Sequence, residues 1–182
     1  PIMYVTGGET VDMTKLINLY GGPGSGKTTL ANKLLAALKE RGLTAVAPPE
    51  YATDLVYDRM GVIDVCQNDI LMEQFKRVFR YYPVADFIIS DSPLLMQLAY
   101  AGGNKDLEER IKALAGVFPV QWHYLVERDP SKKHTMKGRV HTLEEAKQLD
   151  EDIKHMVQPH VDFLWTGTSE QIFNSIMRSL SD

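Results

Sequence analysis

The glycine-rich segment at residues 21–28 restricts the fold more than any other part of the chain. It reads Gly21-Gly-Pro-Gly-Ser-Gly-Lys-Thr28 and matches the spacing G-x-x-x-x-G-K-[ST] in full. The apolar run Leu16–Tyr20 precedes it, and leucines at helical spacing follow it within residues 29–41. This order predicts a buried strand, a glycine loop and a helix, with Gly42 ending the helix.

The residue types in this loop suit the binding of a polyphosphate. Glycines allow backbone N–H groups to curve around phosphate oxygens, and the helix that follows presents its positive end. Lys27 would place a charge on the β and γ phosphates, and the Thr28 hydroxyl would bind Mg²⁺. The sequence therefore predicts ATP and Mg²⁺ as cofactors. The predicted nucleotide contacts in the loop are Gly21, Gly22, Pro23, Gly24, Ser25, Gly26, Lys27, Thr28 and Thr29.

Strand-like and helix-like segments alternate along the rest of the chain. Short apolar runs predict strands that end at residues 50–52, at Asp91 and at Val126, and a fifth strand at residues 163–165. Helical patterns lie between and after them, at residues 68–82, 107–115, 143–157 (capped by Thr142) and 169–180. The alternation predicts a three-layer α/β fold of the P-loop NTPase and kinase type, with a parallel sheet of about five strands and helices on both faces.

The length and composition indicate one globular domain. A chain of 182 residues suits a single core, which we assign to residues 15–182, with a lid around residues 128–142. Residues 1–14 are interpreted as an N-terminal extension or an expression remnant. The net charge of −4 argues against a general basic surface for nucleic acid. Cys66 is the sole cysteine and no apolar run approaches the roughly 20 residues of a membrane helix, so we expect a soluble cytoplasmic protein, monomeric or homodimeric, without a membrane partner.

Two carboxylates stand at predicted strand ends, where ligands of parallel sheets bind. Asp91 follows the apolar run Phe87-Ile-Ile-Ser, as expected for an acid that holds Mg²⁺ directly or through water; alternatively it caps the turn at Ser92-Pro93. Glu50 would accept the proton of an attacking hydroxyl or hold the acceptor, and otherwise is a solvated loop acid. Tyr51 either stacks on a base or packs.

Two basic segments supply further candidates. Gln74, Arg77 and Arg80 lie on one predicted helix and would line an acceptor pocket, unless they form a plain solvated face. Arg128 and Arg139 flank a loop that also holds Lys132, Lys133 and Lys137, which predicts a cationic lid or else an exposed flexible loop. Arg128 is assigned to the nucleotide. The predicted catalytic residues are Lys27, Glu50, Asp91 and Arg139.

Four segments together give the chain a family resemblance: residues 21–28, Pro49-Glu-Tyr-Ala52, Ser90-Asp-Ser-Pro93 and residues 138–146. With them the chain resembles phage-encoded P-loop proteins of the AAA_28 type, related to the kinase domain of nicotinamide riboside kinases, over about residues 15–180. The resemblance implies a nucleoside- or nucleotide-kinase-like site, with Glu50 and Asp91 beside the transferred phosphate and Arg139 in the lid. It also implies a location in the host cytoplasm if the chain is phage-encoded.

The acceptor stays open between two kinds of molecule. Some phage kinases of similar appearance phosphorylate 5-hydroxymethyluracil within DNA during base modification. The acidic net charge disfavours such hydroxymethylated DNA, whereas basic clusters at residues 76–80 and 132–139 favour it over a free nucleoside or nucleotide.

Other P-loop classes fit the sequence less well. A GTPase would carry glycine where Leu94 stands, three residues after Asp91, and a motor ATPase would carry glutamate where Ser92 stands. The sequence therefore predicts an ATP-dependent kinase acting on an alcohol group. The alternative is a regulatory protein that binds or hydrolyses ATP without a small-molecule acceptor.

Overall fold

The computed structural model describes residues 13–58, 65–129 and 143–180. The predicted extension up to residue 12, the cap at Thr142 and most of the predicted lid lie outside these ranges. Among the described residues, none of the helices is both long and apolar enough to cross a lipid bilayer.

Five parallel strands form one sheet in the order β2-β3-β1-β4-β5. The strands are β1 Lys15–Tyr20, β2 Ala45–Val46, β3 Phe87–Ser90, β4 Gln121–Glu127 and β5 Trp165–Thr168. The helices are α1 Lys27–Glu40, α2 Tyr51–Tyr57, α3 Gln67–Phe79, α4 Lys105–Ala115, α5 Leu143–Val157 and α6 Ser169–Arg178, with 3₁₀ helices at Leu94–Tyr100 and Gln158–His160. The strand order places β1, and the glycine loop that follows it, at the centre of the sheet.

Both faces of the sheet are covered because the strands are apolar on both sides. Ile17, Leu19 and Ile89 face the layer formed by α1 and α6, which contributes Leu34 and Ile172. On the other face, buried residues of the strands pack against buried residues of α3, α4 and α5. The strand residues are Leu16, Tyr20, Ile88 and Leu125, and the helix residues are Leu71, Ile111, Ile153 and Val157. This arrangement confirms the predicted three-layer α/β fold.

Two predicted strands have different bounds in the structure. The second strand ends at Val46, and Tyr51 begins a helix, because Pro48 and Pro49 lack the N–H groups that would extend a strand ladder. The fifth strand lies at Trp165–Thr168 instead of residues 163–165, and Phe163 is 69% exposed. The strand starts at Trp165, which pairs with Tyr124. Its other residues, Thr166, Gly167 and Thr168, do not form an apolar run, so the sequence pattern does not predict them as a strand.

Candidate active site

The glycine loop turns sharply between β1 and α1 at the carboxyl end of the central strand. Gly21, Gly24 and Gly26 have φ angles of 138°, 79° and 102°, a backbone region open to glycine at little steric cost. A Cβ atom added to Gly21 would come within 2.7 Å of Ser25 Oγ and 3.1 Å of the Val126 carbonyl oxygen. The curvature of the loop therefore requires glycine at position 21.

The interior of the loop has unsatisfied polar groups that suit an anion. The side chain of Ser25 is buried, and within the part of the chain that the structure describes its Oγ has no hydrogen-bond partner. Helix α1 begins directly after the loop, and among the described residues no side chain caps its first turn, so the backbone N–H groups of that turn can donate to a group bound at the loop. The residues present thus fit a phosphate group, which would accept hydrogen bonds from them.

Backbone carbonyl oxygens of the glycine loop hold the side chain of Lys27 over the loop. Its Nζ donates to the carbonyl oxygens of Gly21 at 2.7 Å and Gly22 at 3.1 Å. Burial lowers the pKa of Lys27, and the nearby carboxylates of Asp91, Glu50 and Asp150 act in the opposite direction. The ammonium group therefore lies among three acids, close to both candidate carboxylates.

Thr28 and Asp91, which the sequence predicts as ligands of Mg²⁺, are hydrogen-bonded to each other. The Thr28 hydroxyl donates to Asp91 Oδ2 at 2.6 Å. Asp91 directly follows β3, which pairs with β1 at Ser90 and Asn18. Hydroxyl and carboxylate oxygens suit Mg²⁺, which takes few protein ligands and keeps water and substrate oxygens as the rest. No cluster of three or more acids, histidines and cysteines that could hold a metal occurs among residues 13–58, 65–129 and 143–180.

Glu50 lies beside the same strand end. Its Oε1 accepts a hydrogen bond from Ser92 Oγ at 3.0 Å, and its Oε2 accepts one from Thr53 Oγ1 at 2.8 Å. Ser92 is the residue after Asp91, so the two carboxylates are brought together.

Gln74, Arg77 and Tyr51 support the chain around Glu50. Gln74 is 1% exposed, and its Oε1 accepts from the Tyr51 backbone N–H at 2.9 Å. The guanidinium of Arg77 lies 4.9 Å from the Tyr51 ring centre and pairs with Asp54 at 2.6 Å. It also donates to the Pro49 carbonyl at 3.4 Å. These contacts hold the corner at residues 49–54.

Arg80 is not brought to this group. It is exposed near the end of α3 and its Nε donates to the Lys76 carbonyl. The nearby Tyr82 carbonyl accepts from Thr14, which stands at the amino end of β1. Arg80 thus lies toward the amino edge of the sheet, away from the glycine loop.

Arg128 follows β4 and contacts the glycine loop, and its role as a nucleotide ligand stays a prediction. Its Nη1 donates to the Pro23 carbonyl at 2.9 Å, and its Nε donates to Asp150 Oδ2 at 2.6 Å. Asp150 Oδ1 in turn accepts from the Gly22 N–H at 2.5 Å. Arg139 lies outside the described residues, so its lid role stays a prediction.

Three residues at the site did not emerge from the sequence. Ser92 directly follows Asp91, and Thr53 lies three residues after Glu50. Their closeness in sequence to the predicted acids is the signal that could have found them. Asp150 carried no such indication, since it is one acid among several in the α5 pattern.

Comparison with known proteins places the fold and the family. A solved structure of the NadR protein in complex with NR superposes with a TM-score of 0.69 at 15% sequence identity. The match covers 91% of this chain and 51% of the NadR chain, so the present chain spans about half the length of that protein. At this identity the likeness shows the fold alone. No curated protein matches the sequence. The AAA_28 family of AAA domains matches residues 16–161, which is most of the chain, and the chain therefore belongs to this family.

Proposed function

We propose that this chain is a kinase that transfers the γ-phosphate of ATP to a hydroxyl group of a nucleoside, a nucleotide or a hydroxymethylated pyrimidine. The observation that carries the proposal is a pair of hydrogen bonds at the end of β3, one from Thr28 to Asp91 and one from Ser92 to Glu50. Because Asp91 and Ser92 are consecutive, ligands for a metal stand next to a carboxylate able to accept a proton. A protein that only binds ATP has no need for the second carboxylate.

The residues divide the reaction between them. The loop amides, Lys27 and Arg128 would hold the phosphates, and Thr28 with Asp91 would hold Mg²⁺, which supplies positive charge to the phosphate oxygens when bound. The acceptor oxygen attacks the γ-phosphorus, the bond from that phosphorus to the β–γ bridging oxygen breaks, and ADP leaves. Glu50 takes the hydroxyl proton, while Ser92 and Thr53 keep its carboxylate oriented.

The class of acceptor is part of this proposal, and the likeness to proteins of the same fold supports it. The NadR structure holds NR, which adds nicotinamide riboside to the acceptors worth testing. Phage origin and a role in DNA modification belong to the same proposal, with 5-hydroxymethyluracil in DNA as the acceptor. A cytoplasmic location would suit either acceptor.

The test offers radiolabelled ATP and Mg²⁺ with a panel of acceptors: nucleosides, nucleotides, nicotinamide riboside and DNA that contains hydroxymethyluracil. We expect label in one class, lost in Lys27→Ala and retained in Lys39→Ala, which removes an exposed lysine from the last turn of the same helix. ATP hydrolysis with no labelled acceptor would favour the regulatory alternative. If calorimetry detects no heat when Mg·ATP is added, both the kinase proposal and the regulatory alternative are refuted.

A further inference from the structure

The contact between α5 and the glycine loop involves a carboxylate where the proposed function requires phosphate. We propose that Asp150 is an autoinhibitory latch, which occupies the mouth of the loop until the terminal phosphate of ATP displaces it. The inference rests on the proposed function, because it concerns ATP at the same loop.

The geometry of the latch is that of a bound anion. Asp150 Oδ1 accepts from the Gly22 N–H at 2.5 Å, and its two oxygens accept from Arg128 Nη2 at 3.3 Å and Nε at 2.6 Å. The side chains of Asp150 and Arg128 are 19% and 13% exposed. A carboxylate that receives a backbone N–H and a guanidinium fork uses the same donors that a phosphate would use.

Charge at the loop makes the carboxylate and the phosphate competitors. Asp150 lies close enough to Lys27 to act on the pKa of its ammonium group, together with Asp91 and Glu50. A triphosphate bound at the glycine loop would lie next to the carboxylate of Asp150, and the two negative charges would repel each other. When the carboxylate moves away, the guanidinium of Arg128 can pair with phosphate.

The position of Asp150 on α5 allows this movement. Glu144, Glu145 and Gln148, in the first half of the helix, are exposed, whereas Ile153 and Val157 in its second half are buried in the core. Asp150 lies at the boundary between these halves. Leu149, next to Asp150, is half-buried against the same core, so Asp150 leaves the loop by rotation of its own side chain, which keeps Leu149, Ile153 and Val157 covered.

The experiment compares Mg·ATP affinity by calorimetry for the full chain and its variants. Asp150→Asn keeps the shape of the side chain, and Asp150→Ala keeps the helix with a residue of high helix propensity if the asparagine variant folds poorly. The control Asp152→Asn removes the same charge from α5, where Asp152 is exposed and its Oδ1 accepts from Gln148 Nε2 of the same helix. Circular dichroism verifies that each variant is folded.

The latch requires tighter binding when it is removed. We expect the dissociation constant for Mg·ATP to fall about tenfold in both Asp150 variants and to change less than about twofold in the control. Unchanged or weaker binding in the Asp150 variants would overturn the latch, since a purely supporting role for Asp150 predicts loss of affinity. If the wild-type chain binds ATP in that case, the proposed function stands; if the wild-type chain binds none, the proposed function itself fails.

Discussion

Acid should destabilise this fold through His123, which lies on β4 beside the strand that leads into the glycine loop. Its Nδ1 lies 2.9 Å from the hydroxyl of Tyr20, the fully buried residue that immediately precedes Gly21. Burial lowers the pKa of His123 from 6.5 to about 4, although the carboxylate of Asp162 works in the opposite direction. Burial also raises the pKa of Tyr20, so the phenol stays neutral.

The sign and size of the effect follow from these values. Between pH 6.5 and about 4 the histidine is neutral in the folded chain and charged in the unfolded chain, so the unfolded chain binds more protons. The stability that the neutral ring provides is complete above pH 6.5 and is lost as the pH falls. At pH 5, about 1.5 pH units below the unfolded value, the loss is about 2 kcal/mol, or roughly 4–8 °C in melting temperature.

Thermal unfolding at pH 7 and pH 5 measures this loss. His123→Gln removes the titration and keeps an acceptor for the Tyr20 hydroxyl, so its stability should depend less on pH than that of the wild type by about 2 kcal/mol. His155→Gln alters an exposed histidine of α5 and should leave the wild-type dependence unchanged. Parallel pH profiles for the wild type and His123→Gln would refute the reasoning.

Three further variants address the site. Glu50→Gln should bind ATP almost normally and slow phosphate transfer by about 10²-fold or more in the labelling assay, whereas Glu40→Gln, at the exposed end of α1, should not. Asp91→Asn should raise the Mg²⁺ concentration needed for half-maximal ATP binding, because one charged ligand is lost; an unchanged titration would remove Asp91 from the metal site. Gly21→Ala should lower the melting temperature more than Gly42→Ala. Both positions have positive φ, but only Gly21 has Ser25 Oγ within 2.7 Å of the new Cβ.

The parts of the site that could be predicted are those fixed by local backbone requirements. The glycine loop specifies its own geometry through positive φ angles, and Asp91 follows from the end of an apolar strand. Both features involve residues adjacent in the sequence. The three-layer fold follows from the same local pattern repeated along the chain.

The parts that could not be predicted depend on distant contacts. Gln74 is on the predicted helix, but its burial and its bond to Tyr51 depend on which face of α3 meets the sheet. Asp150 reaches the loop across 128 positions of sequence, and nothing in the acidic pattern of α5 separates it from its neighbours. The second strand is shorter than its apolar pattern predicts, because Pro48 and Pro49 cannot extend the strand ladder.

The succession of Asp91 and Ser92 just after β3 has a consequence for how such a crevice can diversify. One peptide unit separates Asp91, which accepts from Thr28, and Ser92, which donates to Glu50. The position of Glu50 relative to Asp91 therefore depends on the Ser92 hydrogen bond and on the corner at residues 49–54 that carries Glu50. On the proposed function, selectivity for larger or smaller acceptors would come from that corner and from the helices that brace it.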